Sequence, residues 1–481
     1  MNTPNSGHGK AAHDFSKPVS KPYGSHRSDE HSGVVFDGVH QALPNPPLTL
    51  LGRRIAFSTL VQYAGKLAQM VLAMLTLKLI SNFLGTGEYG VYAKITEYAL
   101  FFSTAANLGI FGNLVRVMAD RPRDGAVFIN ALILRISTAA AFFALAVIYL
   151  YSGGGDRIFI TGSLLFFGAL LFDYITSVCD GMLQANYLMG RASVALVAGR
   201  AVNLIATYLI ISKIGSAAME VPGASTMPFA SLFFTATLAG SIVTMALSIF
   251  FVRRKIHWSW KPDRTLILRL FLAGLPFGFI NIINNLYFRF LPDLFAQNAL
   301  SEAQFGSFNI SFRIAQVASL FSTFLMFSML PGFKEYLDGK HLEKARKLLN
   351  RVWKILLAAG VLLVIGGSLF GNFAIELLTH KKFILPELWF ILPLMLLLAA
   401  ISYGYDLILI TLFALEKDLW LLKRECLALI MAMSVFALSY AMIDVRWRIF
   451  AIILGAIVGE TFMVVSGLKK IQRVLQKRAS I

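Results

Sequence analysis

The chain has 481 residues, of which 57% are hydrophobic and 15% charged, and a formal net charge of +18. That apolar content exceeds what one soluble core hides, which excludes an ordinary globule and makes lipid the expected solvent. The two cysteines, Cys179 and Cys426, exclude a disulfide framework and read as small packing residues.

Residues 1–50 are rich in Ser, His, Pro, Gly and Asn, with no apolar periodicity and no hydrophobic signal segment, and they read as a disordered tail. The tail histidines, His8, His13, His26, His31 and His40, lack paired metal-ligand spacing, so neither a metal nor a cofactor is expected. From Ile55 onward twelve stretches could each cross a bilayer, which takes about 20 apolar residues. They are 55–80, 89–115, 126–150, 158–183, 192–212, 229–252, 266–297, 305–331, 352–370, 387–413, 420–443 and 448–468. The expected fold is therefore an all-α polytopic membrane protein of about twelve transmembrane helices.

The positive charge follows membrane topology. With the amino terminus in the cytoplasm, 30 Lys and Arg fall in cytoplasmic segments or the adjoining span ends and six in or beside outer ones. That bias satisfies the positive-inside rule with both termini cytoplasmic, and it leaves nucleic-acid binding without support. The run Gly85-Thr-Gly-Glu-Tyr-Gly-Val-Tyr92 then recurs as Ser301-Glu-Ala-Gln-Phe-Gly-Ser-Phe308, at an offset of 216 residues. Six helices separate the copies, so the halves point the same way through the membrane and enclose a central cavity between two parallel-related six-helix bundles. The domains read as a cytoplasmic tail (1–50), a first bundle (51–252), a basic cytoplasmic linker (253–264), a second bundle (265–468) and a basic cytoplasmic tail (469–481).

The ionisable residues inside the spans form helical stripes. The 266–297 span carries Asn281, Asn285, Arg289 and Asp293 at intervals of four, on one flank of a helix. Gln62, Lys66 and Gln69 line up in the first span, and Asn309, Arg313 and Gln316 in the eighth. Asp173, Ser177, Asp180 and Gln184 do so in the fourth, and Arg200, Asn203 and Thr207 in the fifth. A charge at the centre of a lipid-facing helix costs roughly 2.5–3.5 kcal/mol, so these groups should face the interior. Lys66, Arg200, Arg289 and Arg313 lie several turns inside a span, and the repeat offset maps Glu97 onto Arg313. The plainer alternative is interhelical glue, with Arg289 and Asp293 pairing within one helix. Lys78, Arg135 and Arg269, nearer span ends, read as snorkelling residues. Tyr63, Tyr98, Tyr174, Tyr287 and Tyr405 suit packing as well as a cavity wall. Pro276, Pro292, Pro331 and Pro393 would permit bending.

The run Phe83-Leu-Gly-Thr-Gly-Glu-Tyr-Gly-Val-Tyr92, continuing to Asn107-Leu-Gly-Ile-Phe-Gly-Asn-Leu-Val-Arg116, resembles the amino-terminal signature of the polysaccharide-exporter flippases. Their superfamily also contains the multidrug and toxic-compound extruders. Leu275-Pro-Phe-Gly278, the Arg289 to Asp293 stretch, Phe305-Gly-Ser-Phe308 and Met329-Leu-Pro-Gly332 look like that family's second repeat, and the resemblance covers 52–470.

It implies transport, without catalysis, of an undecaprenyl-diphosphate-linked oligosaccharide across a bacterial inner membrane for O-antigen or exopolysaccharide biosynthesis, by alternating access. Lys66, Arg200, Arg289 and Arg313 would then bind the substrate diphosphate, and Glu97, Asp173, Asp180 and Asp293 would act in gating or coupling. The implied partners are the lipid-linked oligosaccharide, membrane lipid, a coupling Na⁺ or H⁺, and glycan polymerase and export machinery. An ion-coupled multidrug or cation antiporter is the alternative, with Asp173, Asp180, Asp293 or Glu460 holding the ion. A membrane-embedded glycan polymerase fits less well, because the longest outer connections, 212–228 and 371–386, are short. No Walker motif, metal-ligand cluster or nucleophile–base constellation points to an enzyme.

Overall fold

A computed structural model describes residues 48–479 except 111–113, 115–116, 119–123, 154–155, 187, 219–226, 339–340, 380–382, 385–388, 416 and 441–444. Nearly all of the tail read at 1–50 lies outside the described residues.

Helix α1 (Leu48–Asn107) holds the first two crossings. The turn expected between them is compressed into one residue, Gly85, whose φ of 74° lies in the left-handed region that a side chain disfavours. The second arm ends at Asn107, short of the expected 115, because Leu108 and Gly109 both take positive φ. Next come α2 (Gly125–Ser152), α3 (Arg157–Ala185), α4 (Met189–Ala218), a 3₁₀ turn (Met227–Leu232) and α5 (Phe233–Val252).

The seventh crossing departs from the single helix expected over 266–297. It is α6 (Arg264–Asn285), a π turn (Leu286–Phe290) and α7 (Leu291–Ala299), with a bend of 43° between 264–276 and 278–299. Pro276 lies inside α6 and Pro292 directly after the π turn, and each ring removes a backbone donor from the crossing. The remaining helices are α8 (Glu302–Asp338), α9 (Leu342–Thr379), α10 (Ile391–Ala414), α11 (Asp418–Tyr440) and α12 (Val445–Ala479). Most of the segment read as a basic tail, 469–481, is a continuation of α12.

Among the described residues eight helices are long and apolar enough to cross a membrane, and nine with the bent seventh crossing. Resolving α1 into two arms and adding α8 and α11, which do not meet the apolar criterion, gives the twelve passages. In the first half α5 packs on α3 and α4, and α2 on α3; in the second α10 packs on α8, α9 and α12, and α12 on α11. Leu362, Leu369 and Phe373 of α9 are 64–71% exposed, a face suited to acyl chains.

The 216-residue repeat reappears as a reciprocal contact. A Cβ on Gly90 would overlap the carbonyl oxygen of Glu302, and one on Gly306 would overlap that of Thr86. Each contact is the other shifted by the repeat, as in a two-fold interface. Lys94 adds an ion pair to Glu302 at 3.7 Å, and Tyr89, Phe305, Phe308 and Phe383 fill the seam with buried apolar surface. The halves are closed on each other at this end. Residues 253–263 join α5 to α6 and are pinned to α2 by Asn130, which is fully buried. Its amide donates to the Lys261 carbonyl at 3.0 Å, and its oxygen accepts from the Asp263 backbone N–H at 2.7 Å.

Candidate functional site

Polar groups gather at three places. The first lies just inside the closed seam, where both halves meet at Glu97. This carboxylate is 2% exposed on the second arm of α1. Arg289, from the π turn, donates to it twice, Nε to Oε2 at 2.9 Å and Nη2 to Oε1 at 3.0 Å. Arg313, from α8, adds Nη2 to Oε1 at 2.8 Å. One anion from the first half thus holds two guanidiniums from the second, and such charge-assisted forks are strong and directional. Asp293 is 3% exposed in α7; its Oδ2 accepts from Gln297 at 2.7 Å, and its Oδ1 has no hydrogen-bond partner among the described residues. Asn309, fully buried, accepts from the Tyr89 hydroxyl at 3.2 Å.

The second place is a cavity of about 400 Å³ in the first half, with Arg135, Asp173, Tyr174 and Asp180 in its lining. The snorkelling expected of Arg135 does not occur. Its side chain is 2% exposed and donates to the Asn107 Oδ1 at 2.7 Å, and its guanidinium lies 5.2 Å from the Tyr174 ring centre. Asp173 sits mid-helix in α3 yet is exposed to solvent.

The third is a knot of carboxylates in the second half. Glu425 of α11 and Glu460 of α12 are 0% and 1% exposed. Tyr405 donates to Glu425 at 2.6 Å, Tyr287 donates to its other oxygen at 3.1 Å, and Asn284 donates to Glu460 at 2.9 Å. The Glu460 Oε2 has no partner among the described residues. Buried carboxylates in this setting can hold a proton or a small cation.

Of the residues singled out in sequence, Glu97, Arg289 and Arg313 come together. Asp293 is a turn from Arg289, but the arginine's bonds go to Glu97 and not to Asp293. Asp173 and Asp180 share the first-half cavity. Lys66, half-buried in α1, and Arg200, exposed on α4 beside Asp173, belong to neither group. The stripe on the seventh crossing divides: Asn285 donates to Asn281 at 3.0 Å, while Arg289 lies beyond the start of the π turn. Sequence reading missed Glu425, Asn284 and the bonding role of Arg135. Glu425 follows Lys423 and Arg424 and so resembles a solvated helix end. A lone acid directly after two bases near the start of a span was its available signal.

The polysaccharide biosynthesis protein family matches residues 53–337. Comparison with curated proteins gives no match. Among solved structures, an inward-facing multidrug resistance MATE family transporter of the MOP superfamily superposes with a TM-score of 0.67 at 15% identity, covering 87% of this chain and 99% of its own. An outward-facing structure of a MATE family transporter gives 0.64 at 14% identity, with 89% and 96% covered. A MOP superfamily transporter from Pyrococcus furiosus, described by a binding pocket of reverse polarity, gives 0.63 at 15% identity, with 88% and 97% covered. The chain shares the fold of these transporters.

Proposed function

The chain belongs to the polysaccharide biosynthesis protein family, and from that premise we propose that it is a flippase carrying an undecaprenyl-diphosphate-linked oligosaccharide across a bacterial inner membrane, by rocking of its two six-helix bundles. The observation that carries this reading is the clamp on Glu97. While the seam is closed, Arg289 and Arg313 are held by an internal carboxylate. Parting the halves would free two guanidiniums, whose planar forks match phosphate oxygens, so the diphosphate would replace Glu97 as their partner. Lys66 and Arg200 would serve the phosphates at other depths. The polyprenyl tail would stay in lipid.

Coupling to H⁺ or Na⁺ is assigned to Glu425 and Glu460, whose buried carboxylates would take up the ion between α11, α12 and the seventh crossing. The same cluster favours a second reading, an ion-coupled multidrug or cation antiporter. The two readings part on substrate. In proteoliposomes containing a fluorescent undecaprenyl-diphosphate-linked sugar, the protein should speed its translocation, and Arg289→Ala and Arg313→Ala should slow it at least tenfold at equal abundance. Full translocation in both variants would remove the clamp from the mechanism. No lipid translocation together with ion-driven uptake of a drug cation would establish the antiporter.

A further inference from the structure

The cavity between the second arm of α1, α2 and α3 is not used by the clamp or by the carboxylate knot. Its volume, about 400 Å³, lies within the roughly 300–1,000 Å³ common for small-molecule sites. Leu170 is the one aliphatic residue of its lining; Ser103, Thr104, Asn107, Arg135, Asp173 and Asp180 supply hydrogen-bonding groups. Asp173 and Asp180 stand seven residues apart, two turns on one face of α3.

Two buried polar atoms beside the lining lack protein partners among the described residues, the Arg135 Nε and the Asp180 Oδ1. Arg135 itself is 98% buried, so an unpaired donor on it is expensive unless a ligand or water satisfies it. The guanidinium is also fixed in place. The Asn107 amide oxygen accepts from it, and the Tyr174 ring beneath it is tied to Ser103 through the tyrosine hydroxyl.

We propose that this cavity is a subsite for one sugar unit, taking neutral or amine-bearing rings in preference to acidic ones. Carboxylates accept from pairs of ring hydroxyls, and the fixed guanidinium donates to a hydroxyl or ring oxygen, so the lining matches a ligand that is both donor and acceptor. A lipophilic cation would instead want broad apolar and aromatic walls. Two carboxylates against one guanidinium in the lining repel a third carboxylate, which disfavours a uronic acid. Arg200 acts on Asp173 from α4, outside the lining.

This proposal rests on the reading of the protein as a glycan carrier, and its test separates the two. Full-length protein in lipid nanodiscs is examined by saturation-transfer NMR with methyl glucoside, methyl glucosaminide, methyl glucuronide and tetraphenylphosphonium. The glucoside and glucosaminide should give transfer signals, the glucuronide at least fivefold less. Asp173→Asn and Asp180→Asn, checked for monodisperse elution, should weaken sugar binding at least tenfold. Thr104→Phe, which narrows the cavity and leaves every charge in place, should do the same and stands in if an aspartate variant fails to fold. Equal signals from the glucuronide overturn the charge preference. Sugar binding unchanged in all three variants overturns the cavity assignment and leaves the glycan carrier standing. Binding of tetraphenylphosphonium without any sugar overturns both.

Discussion

Glu97 has two partners from the opposite half and almost no contact with solvent, so its removal leaves two guanidiniums facing each other in a low-dielectric setting. Breaking a buried ion pair from one side typically costs about 3–5 kcal/mol. Glu97→Gln should therefore weaken the closed seam by that order, seen as a lower unfolding temperature in detergent and as lost export. Exchanging the charges, Glu97→Arg with Arg313→Glu, should recover part of the export lost in either single variant. A double variant no better than the worse single one would show that the pair has no gating role. The correspondence of Glu97 with Arg313 was legible in sequence because the repeat keeps its spacing between the Gly85 turn and the charged position. Arg289's choice of Glu97 over Asp293 was not. The four-residue interval suggested a pair within one helix, and a partner 192 residues away leaves no local pattern.

At the scale of elements, the departures from expectation share a cause: hydropathy reports which residues lipid can cover, whereas backbone hydrogen bonds extend further. Helices α9 and α12 run past their apolar stretches because the charged turns at their ends continue the same helix into a polar layer. The π turn in the seventh crossing was invisible for another reason, since its five residues, four apolar and Arg289, are as helix-compatible as their neighbours. The linker over 253–263 reads as a basic loop, yet it is held on α2 by the buried Asn130 amide, by a bridge between His257 and Asp124 and by Trp258 against Phe128. Asn130→Ala removes its two hydrogen bonds to the linker, each worth about 1 kcal/mol. The variant should keep its helices by circular dichroism while limited proteolysis cuts near Lys261 several-fold faster. Unchanged cleavage would mean that other contacts fix the strap.

Taken whole, the molecule carries a charge bias from which the positive-inside rule predicts a cytoplasmic 253–263 linker. A cysteine placed at Ser259 should resist impermeant reagents in intact cells and react once the membrane is opened. Labelling from outside would invert the topology. Twelve crossings and two like-directed halves were legible because lipid and the repeat both leave periodic marks; the seam was not, since a glycine in contact and a glycine in a loop look alike in sequence. That seam has a consequence for how the protein moves. Gly90 on Glu302 and Gly306 on Thr86 are one contact made twice, so neither can part by a small amount while the other stays shut. Separation should be all-or-none. Spin labels at Gly87, where added side-chain atoms meet open space, and at exposed Ser301 should show two discrete distances and no continuum between them. Gly90→Ala or Gly306→Ala should each shift the population to the longer distance, and combining them should add little, because the first methyl group already undoes both copies of the contact.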